Sequence, residues 1–358
     1  MAQVIFENVL KSFGSVKAVN DVSLTIEDGE FLCLLGPSGC GKTTTLRLIA
    51  GLEQATSGTI KIGTKDVTNV SPKDRDVGMV FQDYALYPHM TLMENIAYPL
   101  KVRKVDKAER EERAREVAER LYISQLMERL PGQISGGQQQ RTSVARAVVH
   151  EPQVFLFDEP LSNLDAKLRL ESRVFIRHLQ QQLKVTAVYV THDQAEAMAI
   201  ADRIAVMQDG VIVQIGTPLE IYRKPLTAFV ANFLGSPPMN LIEVTYSSGV
   251  FESAAGTLDA VELGFDPSKL NENANYQLGI RPEHVNLEKS SGQHTIKASL
   301  YGIEMLGPES ILSYTVGGAF FIVRVYGDDP PEVTLGSQYQ LSFSRDNIHL
   351  FDDTGKRV

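Results

Sequence analysis

The sequence predicts an α/β domain built on a parallel sheet, followed by a separate all-β domain. A short apolar run, FLCLLG, opens into a glycine-rich loop and then a helix-like segment. Two more apolar runs, VFLFDE at residues 154–159 and TAVYVTHD at residues 186–193, also lead into loops and helices, an alternation typical of a parallel sheet. After about residue 235 the pattern changes to short runs such as YQLGIRP and AFFIVRVYG, broken by turn residues, which predict strands.

Composition and charge exclude several classes of protein. The 358 residues are 43% hydrophobic and 22% charged, which is ordinary globular material with room for more than one core. The net charge of -9 argues against nucleic acid as a partner, because phosphate backbones attract an excess of Lys and Arg. No run approaches the roughly 20 apolar residues of a membrane span, and MAQVIFENVL lacks the pattern of a secretory leader.

Local patterns predict the remaining elements. The first 30 or so residues alternate apolar and polar, which indicates an antiparallel edge of short strands. From Lys101 to Leu121, mixed charges at helical spacing predict an exposed helix with paired Glu and Arg. Cys33 and Cys40 show no metal-ligand or redox spacing and fit a reducing cytosol. The segment LGSPPMN marks the boundary between a first domain at 1–235 and a second at 236–358.

The loop after the first buried strand carries the strongest chemical signal. Residues 36–43 fit G-x-x-x-x-G-K-[ST] between a strand and a helix, so backbone N–H groups can cradle phosphate oxygens. Lys42 reaches the terminal phosphates, and the Thr43 hydroxyl can ligate Mg²⁺. A chance glycine-rich turn is the alternative, and the strand and helix on either side argue against it. The predicted nucleotide-binding residues here are Gly36, Pro37, Ser38, Gly39, Cys40, Gly41, Lys42, Thr43 and Thr44.

An acidic pair, Asp158 and Glu159, ends the second buried strand. Ligands of open α/β folds bind at this carboxyl edge of the sheet. Asp158 can hold the magnesium shell, and Glu159 can polarise the water that attacks the γ-phosphate. A solvated strand end is the alternative interpretation, and the phosphate loop upstream makes the catalytic one persuasive.

A second phosphate-binding device lies between these two motifs. Ser135, Gly136, Gly137 and Gln138 precede or open a helix whose N-terminal N–H groups can face an anion. A simple switch GTPase or kinase needs one such helix end. Two in one chain therefore indicate that nucleotide is sandwiched between two copies, which predicts a homodimer.

With these motifs the sequence resembles the ABC ATPases, in which the SGGQ signature of one subunit completes the site of the other. The resemblance implies that Phe13 stacks on adenine, with an apolar staple between strands as the alternative. It implies that Gln82 reaches magnesium and the attacking water, and that His192 contacts the γ-phosphate. It also implies that Ser162-Asn163-Leu164-Asp165 crosses the dimer interface, which places Asp165 at the nucleotide.

The segment YALYPHMT, residues 84–91, resembles the run that faces the coupling helices of membrane subunits in carbohydrate importers. It lies in the helical insertion, at about residues 83–150, and a role in that insertion's own core is the alternative. The C-terminal runs LGIRPEHV, EMLGPE and FSRDNIHLFDDTGKRV are similar to the OB-like β-barrel repeats of ATPases from maltose, multiple-sugar and glycerol-3-phosphate importers. The likeness to this group covers essentially the whole chain.

This likeness implies the ATP-hydrolysing subunit of an ABC importer for a sugar or related polar solute, with ATP and Mg²⁺ as cofactors. The implied partners are a second copy, two integral-membrane permease subunits and, indirectly, an extracytoplasmic solute-binding protein. The implied location is peripheral, on the cytoplasmic face of the inner membrane. Three departures from the family pattern, at Phe13, Ile134 and Gln139, remove no catalytic atom.

Two alternatives compete with an importer. A non-transport ABC ATPase usually has two cassettes, a long coiled-coil insertion or a basic face, and the sequence shows none of these. A regulatory protein that only switches on nucleotide could lose Glu159 or His192, and both are present.

Overall fold

Strands and helices alternate in the first part of the chain, and strands dominate the second. A computed structural model describes residues 2–254, 256–287, 294–327 and 332–358. The chain forms two compact units, Met1–Leu219 and Glu220–Val358. Across the described part of the chain, none of the helices combines the length and hydropathy that a membrane crossing requires.

The first unit contains the following elements. Its strands are β1 (Val4–Phe13), β2 (Val16–Ile26), β3 (Phe31–Leu35), β4 (Ser57–Ile62), β5 (Lys65–Asp66), β6 (Val77–Val80), β7 (Val154–Asp158), β8 (Thr186–Thr191), β9 (Arg203–Gln208) and β10 (Val211–Gly216). Its helices are α1 (Lys42–Ala50), α2 (Leu92–Val102), α3 (Lys107–Arg120), α4 (Gly136–Val148), α5 (Ala166–Leu183) and α6 (Gln194–Ile200).

Two sheets organise this unit. The larger has the order β10-β9-β3-β8-β7-β6, and β9, β3, β8, β7 and β6 run parallel. Every residue of β3, β7 and β8 is buried, as expected for central strands of a parallel sheet that is covered on both faces. The smaller sheet, β2-β1-β4-β5, is antiparallel. The predicted parallel sheet and the predicted antiparallel N-terminal edge are both confirmed.

The hydrophobic core of the first unit joins the two sheets through α1. Side chains of β1 and β2 pack with those of β3 and with the inner face of α1, so the position of the helix is fixed from both sides. Because β3, β6, β7 and β8 are parallel, the loops that follow them leave the sheet at one edge. This edge carries residues 36–43, Gln82, Asp158–Glu159 and His192.

The charged segment predicted as one helix from 101 to 121 is interrupted. Helix α2 ends at Val102, Lys104 has a positive φ of 62°, and α3 begins at Lys107. Asp106 caps α3, accepting a hydrogen bond of 2.8 Å from the backbone N–H of Ala108. The prediction of exposed ion pairs is confirmed on α3, where Arg113 contacts the Glu109 carboxylate at 2.6 Å.

The second unit is built from two antiparallel sheets. Its short helices are α7 (Pro218–Arg223), which begins at the end of the first unit, and α8 (Ala228–Phe233). Its strands are β11 (Asn240–Ser247), β12 (Val250–Ser253), β13 (Gly256–Asp259), β14 (Asn275–Ile280), β15 (Val285–Asn286), β16 (His294–Met305), β17 (Glu309–Val316), β18 (Ala319–Tyr326), β19 (Gln338–Phe343) and β20 (Ile348–Phe351). The sheet orders are β13-β12-β11-β14-β20 and β15-β19-β16-β17-β18. The prediction that this region consists mainly of strands is confirmed.

The helix pair α7 and α8 is tied to the second unit by Arg281, whose side chain is almost fully buried. Its guanidinium donates to the carbonyl oxygens of Tyr222 at 2.8 Å and Ala231 at 3.1 Å, and also to that of Leu234. These contacts explain why the division into units falls after Leu219, ahead of the Pro- and Gly-rich segment in which the sequence placed it.

Candidate functional site

The phosphate loop follows β3 and is held closely by its neighbours. A Cβ at Gly36 would lie 2.3 Å from the carbonyl oxygen of Met207. Gly41 has φ +106°, and a Cβ there would lie 2.2 Å from the carbonyl oxygen of Ala18. Both positions therefore require glycine. The Lys42 ammonium donates to the carbonyl oxygens of Gly36 at 2.7 Å and Pro37 at 2.9 Å, so it lies across the loop.

The N-terminus of α1 faces this loop without a side-chain cap, since Gly41 is its capping residue. Its first-turn N–H groups and the Lys42 ammonium together favour an anion. The Cys40 side chain contributes no charge, because burial raises the pKa of its thiol. Of the other predicted loop residues, Ser38 and Gly39 are exposed and Thr44 is half-buried.

Oxygen donors suited to magnesium meet at the start of α1 and the end of β7. The Thr43 hydroxyl donates to Asp158 Oδ1 at 3.1 Å. Burial raises the pKa of the Asp158 carboxyl, and the bond from Thr43 opposes that shift. Among the described residues no group of three or more His, Cys, Asp and Glu side chains forms a metal cluster. Such a sparse oxygen site fits Mg²⁺, which takes one or two protein ligands and fills its shell with water and phosphate.

Glu159 and His192 are in direct contact beside this oxygen pair. Glu159 Oε2 lies 3.0 Å from His192 Nδ1. Glu159 has a positive φ of 45°, and its backbone N–H donates to the carbonyl oxygen of Val190 at 3.0 Å. A left-handed backbone is uncommon outside glycine, and it aims this carboxylate away from the strand direction.

A buried hydrogen-bond network around Glu196 connects the residues on either side of His192. The sequence analysis did not predict this network. Glu196 Oε2 accepts hydrogen bonds from the Thr191 hydroxyl at 2.8 Å and the Tyr189 hydroxyl at 3.0 Å. Burial raises the pKa of the Glu196 carboxyl, and the hydrogen bonds from Thr191 and Tyr189 offset only part of this increase. Asp193 caps α6, fixing the turn that follows β8. A buried Tyr and Thr two residues apart on a strand, followed by a glutamate, was the available signal in the sequence.

Gln82 and the segment Ser162–Asp165 are linked through the backbone. Gln82 is exposed beyond the end of β6, next to β7 in the sheet. Asn163 Nδ2 donates to the Gln82 carbonyl oxygen at 3.0 Å, and the Ser162 hydroxyl donates to the Glu159 carbonyl oxygen at 3.0 Å. Asp165 is the capping residue of α5, accepting from the N–H of Leu168 at 3.0 Å.

The second phosphate-binding device opens α4. Ser135 caps the helix: its hydroxyl accepts from the Gln138 N–H at 3.4 Å, and Gln138 Oε1 accepts from the Ser135 N–H at 3.0 Å. Because the serine hydroxyl accepts this bond, its own proton can still be donated to a ligand. Cβ atoms at Gly136 and Gly137 would meet leucine side chains of the 162–168 region at 3.4 and 3.6 Å. Within the described chain, no hydrogen bond or ion pair joins residues 135–138 to the loop 36–43.

Phe13 ends β1 with 48% of its side chain exposed. The Lys11 ammonium lies 4.5 Å from its ring centroid. Phe13 pairs with Val16 across the turn to β2, and Val16 is also exposed. About half of the ring is therefore accessible to a stacking partner.

Residues 84–91, here called the docking segment, contribute Ala85 and Tyr87 to the lining of a groove of about 350 Å³. Tyr84 is buried, Ala85, Pro88 and His89 are exposed, and Tyr87 packs on Tyr98 with ring centroids 4.8 Å apart. The segment thus contributes both to the insertion's core and to its surface. The groove is lined by Pro72, Lys73, Val77, Gly78, Met79, Phe81, Ala85, Tyr87, Tyr98, Pro99, Val102, Arg103, Arg146, Ala147 and His150.

A phosphate loop, an oxygen pair and a carboxylate–histidine contact on one edge of a parallel sheet define a P-loop nucleoside triphosphatase. The family model described as ABC transporter matches residues 19–162 of this chain. The models described as MalK OB fold domain and TOBE domain match residues 235–285 and 278–351.

Curated relatives match over the full length of the chain. The sn-glycerol-3-phosphate import ATP-binding protein UgpC of Cupriavidus pinatubonensis is 45% identical over 372 residues, covering 100% of both chains. The trehalose/maltose import ATP-binding protein MalK of Thermococcus litoralis is 47% identical over 379 residues, again covering 100% of both. This chain therefore belongs to the ABC transporter family, in its group of import ATP-binding proteins.

A solved structure supports the fold of the first unit. A dimeric bacterial ABC transporter cassette is 31% identical, with a TM-score of 0.55, and covers 60% of this chain and 98% of its own. The predicted family, the predicted ATPase activity and the predicted fold, an ABC-type nucleotide-binding domain followed by a C-terminal all-β OB-like domain, are confirmed.

Proposed function

We propose that this chain hydrolyses MgATP in a site completed by a second copy, and that closure and hydrolysis drive uptake of a sugar or related polar solute. The observation that carries the proposal is the convergence of the loop 36–43, Asp158–Glu159 and His192 at one sheet edge. The machinery for hydrolysis falls within the first unit, Met1–Leu219, with its helical subdomain at about 83–150. Glu220–Val358 forms the C-terminal unit.

Nucleotide binding begins at α1. Phosphate oxygens replace the carbonyl partners of the Lys42 ammonium, while the loop from Gly36 to Thr44 supplies backbone N–H donors. The exposed ring of Phe13 stacks on adenine. The loop lies so close to the backbone of Met207 and Ala18 that Gly36 and Gly41 leave no room for a Cβ.

Three oxygen-bearing side chains hold the metal that accompanies ATP: Thr43, Asp158 and Gln82. The first two are in contact, and the third lies at the end of the neighbouring strand. These side chains would place Mg²⁺ beside the phosphates, where it would offset the negative charge of the triphosphate. The buried Asp158 carboxylate is well suited to a cation, because burial without one raises its pKa.

Glu159 orients and polarises the water that attacks the γ-phosphate. A bond from this water to phosphorus forms as the bond to the β–γ bridging oxygen breaks. His192, held by the Glu159 carboxylate at 3.0 Å, contacts the γ-phosphate and fixes the carboxylate at the same time. Gln82 contacts the attacking water from the β6 side.

A second copy supplies the donors that this chain lacks. Ser135, Gly136, Gly137 and Gln138 of one copy face the γ-phosphate bound to the other, and Asp165 approaches across the same interface. The exposed serine hydroxyl and the start of α4 then add their positive field where charge develops during transfer. Hydrolysis therefore waits for closure of a homodimer, which the dimeric cassette in the solved structures supports.

Two observations support a role in import: the groove beside the docking segment and the names of the relatives. In each copy, the groove beside residues 84–91 accepts a short helix from one of the two integral-membrane permease subunits, so the chain sits peripherally on the cytoplasmic face of the inner membrane. The relatives' names specify glycerol-3-phosphate, trehalose and maltose import, which supports a sugar or related polar solute as cargo. An extracytoplasmic solute-binding protein delivers that cargo and contacts this chain only through the permease.

Purification from native membranes tests the proposal. A tagged chain should bring down two multispanning proteins in detergent, and in liposomes this assembly should raise its ATPase rate when solute and binding protein are added. Consistent recovery of the active chain without membrane proteins would favour a non-transport ATPase. Screening sn-glycerol-3-phosphate, maltose and trehalose for stimulation would identify the class of cargo.

A further inference from the structure

The docking segment begins with two consecutive residues in the left-handed backbone region. Tyr84 has φ +62° and Ala85 has φ +46°. Residues with a Cβ adopt this region at an energetic cost, and single examples are already uncommon. Two in succession persist only when neighbouring groups hold them.

Two side chains of α4 hold this backbone. The Ser143 hydroxyl donates to the Tyr84 carbonyl oxygen at 2.9 Å. Arg146 donates to the same oxygen at 2.8 Å through Nη2, and to the Ala85 carbonyl oxygen at 2.7 Å through Nη1. Ser143 is fully buried, and the Arg146 guanidinium also lies 5.7 Å from the ring centroid of Tyr87. One planar guanidinium thus spans two successive carbonyl groups.

The rest of the docking segment is held by α2. Asn95, which is fully buried, accepts from the Tyr87 N–H at 2.8 Å. It donates to the carbonyl oxygens of Tyr87 and Met90 at 3.1 Å and of Thr91 at 3.0 Å. The carbonyl groups of residues 84 and 85 are therefore held by α4, while the backbone of residues 87, 90 and 91 is held by Asn95 of α2.

Helix α4 carries both these contacts and the second phosphate-binding device. It begins at Gly136, and Arg146 lies about three turns further on, roughly 15 Å along the axis. An intact helix of this length moves as a rigid body. A shift of residues 84 and 85 is therefore carried to residues 135–138, and a shift at residues 135–138 is carried back.

We propose that Arg146, assisted by Ser143, is a positioning residue that couples the docking segment to the phosphate-binding end of α4. The inference rests on the proposed function, in which a permease helix occupies the groove and residues 135–138 complete the site of the second copy. Coupling is reciprocal: permease binding biases the placement of the signature, and nucleotide binding at the signature biases the docking segment.

Arg146 could instead have a purely structural role, because it lies in the last turn of α4, where a cation stabilises the helix dipole. Arg141 offers a matched comparison on the same helix. It donates to the Leu121 carbonyl oxygen at 3.2 Å and lies 5.0 Å from the ring centroid of Phe175, but it contacts no carbonyl of residues 84–91 in the described structure.

Steady-state kinetics of the assembled importer separate the two roles. Arg146→Gln should lower the solute-stimulated kcat by at least about tenfold, because both charge-assisted bonds to the carbonyl groups of residues 84 and 85 are lost, with the KM for ATP unchanged. Arg146→Lys, which cannot span both carbonyl groups, should fall between Arg146→Gln and wild type. Arg141→Gln should retain the wild-type kcat. Equal losses in Arg146→Gln and Arg141→Gln, or no loss in either, would overturn the coupling.

Hydrogen–deuterium exchange of the full chain gives a readout without membrane subunits. In a Glu159→Gln background, ATP should change exchange at residues 84–91, and Arg146→Gln should abolish this response while Arg141→Gln retains it. ATP affinity, measured on the same samples, distinguishes the failures. A chain that binds no ATP refutes the proposed function and this inference together. A chain that binds ATP, with an equal response in Arg146→Gln, refutes this inference alone.

Discussion

Glu159 Oε2 and His192 Nδ1 lie 3.0 Å apart, at the carboxyl ends of the neighbouring parallel strands β7 and β8. The carboxylate takes its direction from a left-handed backbone, and the imidazole takes its direction from the turn into α6. Each side chain is positioned by its own backbone as well as by the other, so the pair is in place before a phosphate binds. Substitutions of Glu159 and of His192 therefore have separate expected effects.

Replacing Glu159 by Gln should leave ATP binding intact and lower kcat by about 10²–10⁴, the usual contribution of a positioned general base. The amide keeps the shape of the side chain but cannot accept the proton of the attacking water. Because hydrolysis then no longer reopens the site, ATP should accumulate a closed dimer on size-exclusion chromatography. Glu116→Gln, the same substitution at an exposed position of α3, should form no ATP-stable dimer. Unchanged steady hydrolysis in Glu159→Gln would show that the assigned base is wrong.

Replacing His192 by Ala should also lower kcat, with little change in ATP affinity, because the proposed binding of the triphosphate depends mainly on Lys42 and the loop 36–43. Since His192 also holds the Glu159 carboxylate, the two substitutions should not be additive. The double variant should be little slower than Glu159→Gln in single-turnover assays. Full additivity would mean that the two side chains act independently.

Replacing Ser135 by Arg should abolish turnover while one subunit still binds nucleotide. The long cation would occupy the space where a γ-phosphate of the other copy meets the start of α4, and it would break the capping pair with Gln138. Mixing Ser135→Arg with Lys42→Ala subunits is a sharp test, because one of the two composite sites in such a mixed dimer has neither defect. Undiminished activity in pure Ser135→Arg would refute the shared site.

Motifs local in sequence could be predicted, and contacts between distant segments could not. The loop 36–43 and the pair Asp158–Glu159 each follow a buried strand at a fixed spacing, so the sequence alone indicates them as nucleotide-site residues. The contact between Glu159 and His192 depends on the order of β7 and β8 in the sheet, which no local pattern determines. The break between α2 and α3 did have a local signal, since Asp106 and Glu109 form a typical helix start before the charged run.

The links made through backbone carbonyl groups were the least accessible to sequence reasoning. Asn163 reaches the carbonyl oxygen of Gln82, 81 residues earlier. Arg146 reaches that of Tyr84, 62 residues earlier. Every residue has a backbone carbonyl group, so the sequence does not show which of them accepts a side-chain hydrogen bond. The donors are visible as polar residues, but a polar residue in a helix or loop is equally typical of a solvated surface.

Stability of the second unit should fall as pH decreases, because of His349. This residue is almost fully buried in β20, and its burial, together with the nearby Arg357, Arg281 and His284, lowers the pKa of its imidazole from 6.5 to about 4. The unfolded chain binds this proton below pH 6.5, whereas the folded chain binds it only near pH 4. The free energy of unfolding is therefore unaffected above pH 6.5 and decreases between pH 6.5 and pH 4, by up to about 3 kcal/mol.

Replacing His349 by Gln should remove that decrease while costing some stability at pH 7 through altered packing. Urea unfolding of the full chain, followed by circular dichroism at pH 7 and pH 5, measures the difference between wild type and variant at each pH. The wild type should lose its advantage over His349→Gln as the pH falls. His89→Gln, at an exposed position of the first unit, should track the wild type at both values. An advantage that stays constant with pH would show that His349 is protonated equally in the folded and unfolded chain, and that burial does not hold it neutral.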